Sequence, residues 1–193
     1  MLESKKIVSN TKKYFTTAEE MGFMTDELMN ILDKDFVGAP ASTHLDLHNA
    51  FEGGLVDHLL RTTKFAISLN AALPDNLQSK KESIIKVCFL FQIGKAHLFV
   101  PNLSIWHKEK QGKMYEYNEE LVSMGIGERS LYYALKAGVS LTEEESQAIL
   151  NAAKDDSDKQ AKFFTSPLGV LLKQANEWAI IEEKLLVPVK TPA

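Results

Sequence analysis

The chain has 193 residues, of which 45% are hydrophobic and 25% charged, with a formal net charge of −4. That length supports one compact domain with a full core. The acidic balance argues against general nucleic-acid binding, which draws on a basic excess, but leaves room for a local basic groove.

In chain order, Met1–Lys6 is followed by no apolar h-region, so no secretory signal is expected. No apolar run approaches the roughly 20 residues of a membrane span. Residues 1–35 read as one or two amphipathic helices, with Met21, Phe23, Met24, Leu28, Ile31 and Leu32 as apolar positions and Thr25 as N-cap of the second. Residues 36–53 read as irregular. A helix is expected from about Gly54, where Leu55, Leu59, Thr62, Ala66 and Leu69 repeat at helical spacing. Pro74-Asp75-Asn76 ends it.

Ser79-x-x-Glu82 has the pattern of a capping box for the next helix. That helix is apolar nearly all round through Ile84, Ile85, Val87, Cys88, Leu90 and Phe91, so it should be the central buried one, with Gly94 as its stop. Cys88 is the single cysteine, which excludes an intrachain disulfide. It reads as a small buried hydrophobe in a reducing, cytoplasmic setting. Over 103–118, Ile105–Lys108 and Lys113–Tyr117 flank Gln111-Gly112 and read as a small β-hairpin. Helices are expected over Gly127–Ala137, with Leu131, Ala134 and Leu135 as apolar positions and Gly138 closing it. Another should open at the capping box Thr142-x-x-Glu145 and run to about Ala153. The last is launched by Ser166-Pro167, with Leu168, Leu171, Leu172, Ala175, Ala179 and Ile180 inward. Lys154–Lys159 reads as a solvated connector; its acidic run lacks the glycine and downstream glutamate of a calcium loop. A loose tail follows from Pro188. The fold class is mainly α.

Several segments carry a resemblance. They are Ala39-Pro40-Ala41-Ser42, His48, Gly53-Gly54-Leu55-Val56-Asp57-His58, Phe91-Gln92-Ile93-Gly94-Lys95, Gly127-Glu128-Arg129-Ser130, Leu141-Thr142 with Glu144-Glu145 and Ala148-Ile149-Leu150, and Lys173-Gln174-Ala175-Asn176. In this order the chain resembles the HD-domain metal-dependent phosphohydrolases over about residues 37–185, most of all those of tailed bacteriophages. The resemblance implies a single HD-like helical core, with residues 1–35 as a helical extension and 188–193 as tail. It also implies a divalent metal held by histidine and aspartate. His58 matches the first ligand. Phe91 and Gln92 stand where relatives have the adjacent His-Asp pair, Ala152 or Ala153 where they have a histidine, and Asn176 where they have the last aspartate. Phe gives a metal no lone pair, and neutral amides are weak donors beside carboxylates.

The expectation is therefore a catalytically inactive HD-like scaffold with no metal and no cofactor, binding a protein or a nucleotide. His48, His58, Lys95, Glu128 and Arg129 are the ligand-binding candidates. Trp106, Tyr115 and Tyr117 are candidates for a partner or oligomer interface. Plainer readings stand beside these. His58 alone would be a satisfied core histidine, His44 and His48 capping or surface groups, and Phe91 a core filler. Lys95 or Arg129 would pair with a carboxylate such as Glu128, and the aromatic cluster would pack a small hairpin. Two other functions remain open: a working phosphohydrolase on nucleotides or oligonucleotides, with a site rebuilt from His58, Glu128, Lys95 and His97, and a structural or assembly component.

Overall fold

A computed structural model describes residues 4–152 and 165–186. The described chain is mainly helical, with one two-stranded antiparallel sheet. The helices are α1 (Ser4–Glu20), α2 (Asp26–Gly38), α3 (Gly54–Ala71), α4 (Lys81–Leu90), α5 (Ile105–Gln111), α6 (Ile126–Lys136), α7 (Glu143–Asn151) and α8 (Pro167–Leu186). The strands are β1 (Phe99–Pro101) and β2 (Tyr115–Tyr117). No described helix is long and apolar enough to cross a membrane.

The local signals that set helix starts work mostly as the sequence says. Thr25 Oγ1 accepts from Leu28 N (3.0 Å) and donates to Ala137 O (2.9 Å), so one hydroxyl caps α2 and ties it to the end of α6. Thr142 and Glu145 form a reciprocal capping box on α7. Ser166 Oγ accepts from Gly169 N at the start of α8, and Gly138 closes α6 with φ of +73°.

Around α4 the core is built. Ile84, Ile85, Val87, Cys88, Phe89, Leu90 and Phe91 are all buried. Burial pushes the Cys88 thiol up to about 12, so it behaves as a hydrophobe. Tyr14 of α1 stacks on Phe89 (4.6 Å between centroids) and donates its hydroxyl to Phe89 O (3.0 Å). α3 lies against both α4 and α8, and α7 packs against α4, α6 and α8.

Four local expectations are corrected. Ser79 does not cap α4. Asn70 binds its backbone N–H and carbonyl, which straps it to the end of α3, and α4 starts beyond Lys80 without a side-chain cap. Gly94 is no helix stop, because α4 has already ended at Leu90. Its hydrogen is needed for packing, since a Cβ there would stand 2.7 Å from Ile126 O and 2.9 Å from Arg129 Cβ. Ile105–Lys108 is helix rather than strand. Ser104 Oγ accepts from His107 N and Gly112 ends α5 in the left-handed region, so cap chemistry outweighs the reading of Gln111-Gly112 as a hairpin tip. The small sheet exists with Tyr115–Tyr117 as one strand, but its partner is Phe99–Pro101. Leu135 of α6 points outward, 57% exposed. The acidic stretch Asp155–Asp158, Ala153 and the tail lie outside the described residues.

Candidate functional site

The Gly53-Gly54 pair sets up the site. A Cβ on Gly54 would stand 2.2 Å from Asn49 O, so only glycine lets the 40–53 loop fold down onto the start of α3. Asn49 Nδ2 fastens the loop to Gly54 O (3.3 Å) and Asp57 Oδ2 (3.2 Å). This lays the His48 ring 4.9 Å from that of His58.

His58 is fully buried and bonded at both nitrogens. Its Nε2 lies 2.9 Å from Asn176 Oδ1, and its Nδ1 lies 2.9 and 3.1 Å from the two carboxyl oxygens of Glu183. Asn176 and Glu183 are seven residues apart on α8, two turns along one face. Both partners of the His58–Glu183 pair have no exposed side-chain surface. Burial, with the nearby Lys95 charge, lowers the His58 pKa to about 3, and burial raises that of Glu183 to about 8. Both shifts favour the neutral form of the pair, an uncharged imidazole and a carboxylic acid. In that form Glu183 donates to Nδ1, and Nε2–H donates to Asn176 Oδ1. Close contact here is a hydrogen bond rather than an ion pair.

Lys95 is buried beside them. Its ammonium donates to Ala41 O (2.6 Å) and Gln92 Oε1 (2.9 Å), and burial lowers its pKa to about 8 while the Glu183 carboxyl opposes the shift. Phe91, 1% exposed, sets its ring 6.1 Å from that of His58. His48 Nε2 is buried with no hydrogen-bond partner among the described residues. Burial, then the charges of His58, Lys95 and Lys184, hold its imidazole far below the usual range.

A polar network lines one side. Arg61 donates to Asp57 (3.1 Å) and to Glu182, and its Nε lies 3.4 Å from Glu183 Oε1. Burial alone would raise the Asp57 pKa, but hydrogen bonds from Arg61 and Asn10 and the charges of Arg61 and Lys6 hold it below the ordinary carboxylate value.

The donors do not fit the divalent metal that the resemblance implies. Phe91 offers none, the Gln92 oxygen is taken by Lys95, and Asn176 is neutral. His48, His58 and Glu183 do bring one ligand atom each within 4.8 Å of one another. An ion there would have to break the His58–Glu183 hydrogen bond and sit in the field of the Lys95 ammonium, which acts on all three groups. In this site the lysine supplies the positive charge.

Thus His48, His58, Phe91, Gln92, Lys95 and Asn176 converge. Other candidates stand elsewhere. Glu128 does not pair with Lys95 or His58; its carboxylate accepts from Gly125 N at the start of α6 (2.9 Å), a helix-end role that the motif position hid. Arg129 is buried and donates to Val122 O, anchoring the loop after β2. Ala152 is buried at the end of α7. His44 pairs with Thr43 Oγ1, and His97 with Ile31 O. Trp106 and Tyr117 are 57% and 64% exposed, whereas Tyr115 is half-buried. Sequence reasoning missed Glu183. The signal was there: Leu172, Asn176, Ala179 and Glu183 form one inward stripe, and a carboxylate on that stripe needs a buried partner. No family model, curated protein or solved structure matches this chain.

Proposed function

We propose that this chain is a catalytically inactive protein of HD-domain type that works as a binding scaffold. One observation carries the reading: at the positions where the resemblance expects a metal and its water, His58 is closed between Asn176 and Glu183, with the Lys95 ammonium beside it. A hydrolase of this type needs its cation to lower the pKa of a bound water. A neutral amide pair and a resident lysine cannot do this.

A protein partner is favoured over a nucleotide. Leu103, Ile105 and Trp106 are 88%, 71% and 57% exposed within four residues, a density of large apolar groups that suits a contact surface. A cleft of about 580 Å³ at the starts of α4, α7 and α8 contains none of the His58 cluster, and its lining sets Glu143 and Glu144 against Lys80 alone, an acidic balance that disfavours phosphate. The same exposed surface also fits the assembly reading, with a second copy as the partner. A rebuilt phosphohydrolase is less favoured, because His97 and Glu128 are engaged away from His58.

The test is turnover. Purified chain should cleave neither nucleoside mono- and triphosphates nor short oligonucleotides above background with Mn²⁺, Mg²⁺, Ni²⁺ or Co²⁺. Cleavage abolished by His58→Ala, or a bound metal lost with His58→Ala, overturns the proposal.

A further inference from the structure

We infer that Asp33, Asp35 and His97 form a surface site for a divalent transition ion of the zinc type, apart from the His58 cluster. His97 follows the short 3₁₀ turn at Ile93–Lys95. Its Nε2 lies 2.9 Å from Ile31 O. A carbonyl carries no proton, so Nε2 must donate, and in the neutral imidazole Nδ1 is then a bare lone pair. Nδ1 lies 3.7 Å from Asp35 Oδ2. Two acceptors this close repel unless a cation or a bridging water lies between them.

A proton is a poor fit for that gap, because N–H···O hydrogen bonds span about 2.7–3.2 Å. An ion fits better. Two donors each about 2.1 Å from one zinc stand roughly 3.4 Å apart at the tetrahedral angle. Asp33 completes the set: one ligand atom from each of the three residues lies within 4.8 Å of the others. The Asp33 carboxylate is held at Asp35, since its Oδ1 accepts from the Asp35 backbone N–H (2.7 Å) where α2 kinks. The Ile31 carbonyl plays the outer role usual at metal-binding histidines, fixing the tautomer and the ring plane.

The donor chemistry selects the ion. One imidazole and two carboxylates give a site charge of −2, balanced by a divalent cation. Imidazole favours zinc, cobalt or nickel over magnesium or calcium, which prefer oxygen alone. Asp35 is 60% exposed, so water can fill the remaining positions. This is the reverse of the His58 cluster, where a lysine supplies the positive charge and the amide donors are neutral.

The experiment uses the untagged full chain, stripped with chelator. Calorimetric titration with Zn²⁺ should give one ion per chain, and Co²⁺ should bind with visible absorption bands. His97→Gln and Asp35→Asn should each weaken binding by about tenfold or more. Asp35 is exposed, so its variant keeps the fold even if the His97 variant does not. His107→Gln, on the separate helix α5, should leave the titration unchanged. No zinc binding at millimolar concentration, or binding that survives both Asp35→Asn and His97→Gln, overturns the inference.

Discussion

Glu183 and His58 lie 125 residues apart in sequence and meet at 2.9 Å with both side chains fully buried. The pair fastens the last helix to α3 through a hydrogen bond that needs Glu183 to keep its proton. Its pH behaviour follows. The Glu183 pKa is raised from 4.5 to about 8 in the fold, so its contribution is full below pH 4.5 and is lost as pH rises towards 8. Glu183→Gln cannot ionise and its amide can still donate to Nδ1. The stability gap in favour of Glu183→Gln should widen between pH 4.5 and 8 and then level off, read by urea melts across that range. A gap independent of pH overturns the protonation assignment. Glu183→Ala, which leaves Nδ1 unpaired, should cost about 1–3 kcal/mol at pH 5.

His58 has the opposite sign. Its pKa falls from 6.5 to about 3, so the fold holds it neutral while the unfolded chain takes up a proton. Its contribution is present above pH 6.5 and is lost as pH falls towards 3. His58→Gln should flatten the acid limb of the stability curve over that window. Chemical-shift titration of the His58 ring should show no protonation at pH 5.

Lys95 is predicted to be coupled to Gln92. Lys95→Met removes the ammonium but strands Gln92 Oε1 and Ala41 O, at a cost of about 1–3 kcal/mol. Adding Gln92→Leu should recover part of that loss, because the stranded amide is gone. A double-mutant cycle in denaturant should show an interaction energy of about 0.5–3 kcal/mol. Strict additivity counts against the lysine–glutamine pair.

Placing at 91 and 92 the two residues that the resemblance expects should not create a hydrolase. Phe91→His with Gln92→Asp should give no phosphohydrolase turnover with any divalent ion, because Asn176, Ala152 and the Lys95 ammonium remain. The substitution also exchanges a buried ring for a polar one and should lower the melting temperature. Measurable turnover by this double variant counts against the inactive-scaffold reading.

Gly54→Ala should be costly, since the new methyl meets Asn49 O at 2.2 Å and the backbone must move. A loss of about 1–3 kcal/mol is expected, along with displacement of His48, seen as a change in the His48 and His58 ring shifts. Trp106→Ala, on an exposed face, should leave stability within about 0.5 kcal/mol. If this surface joins two copies, light scattering should show a shift from dimer to monomer.

The helices were largely legible in the sequence, because their signals are local. Thr25, Thr142 and Ser166 each accept from a backbone N–H group three residues on, and such bonds depend on little beyond the adjacent chain. The apolar run through α4 marked the buried helix for the same reason. Where local signals competed, distant partners decided. Asn70 drew Ser79 away from its capping role, and Ser130 with Ile126 explains Gly94 better than any turn does. At Ile105 the nearby Gln111-Gly112 pair reads as a hairpin tip, but Ser104 and Gly112 cap a helix instead.

What the chain alone determined is the helical class, most helix ends, and a set of motif residues of which His48, Phe91, Gln92, Lys95 and Asn176 stand around His58 while Glu128 and Arg129 do not. What only the tertiary structure decided is their chemistry. Lys95 as the buried cation, Glu183 as the proton donor to His58, and Glu128 as a helix-end group are matters of which charge faces which across the bundle. Burial sets those protonation states, and burial is a property of packed helices that no stretch of sequence holds by itself.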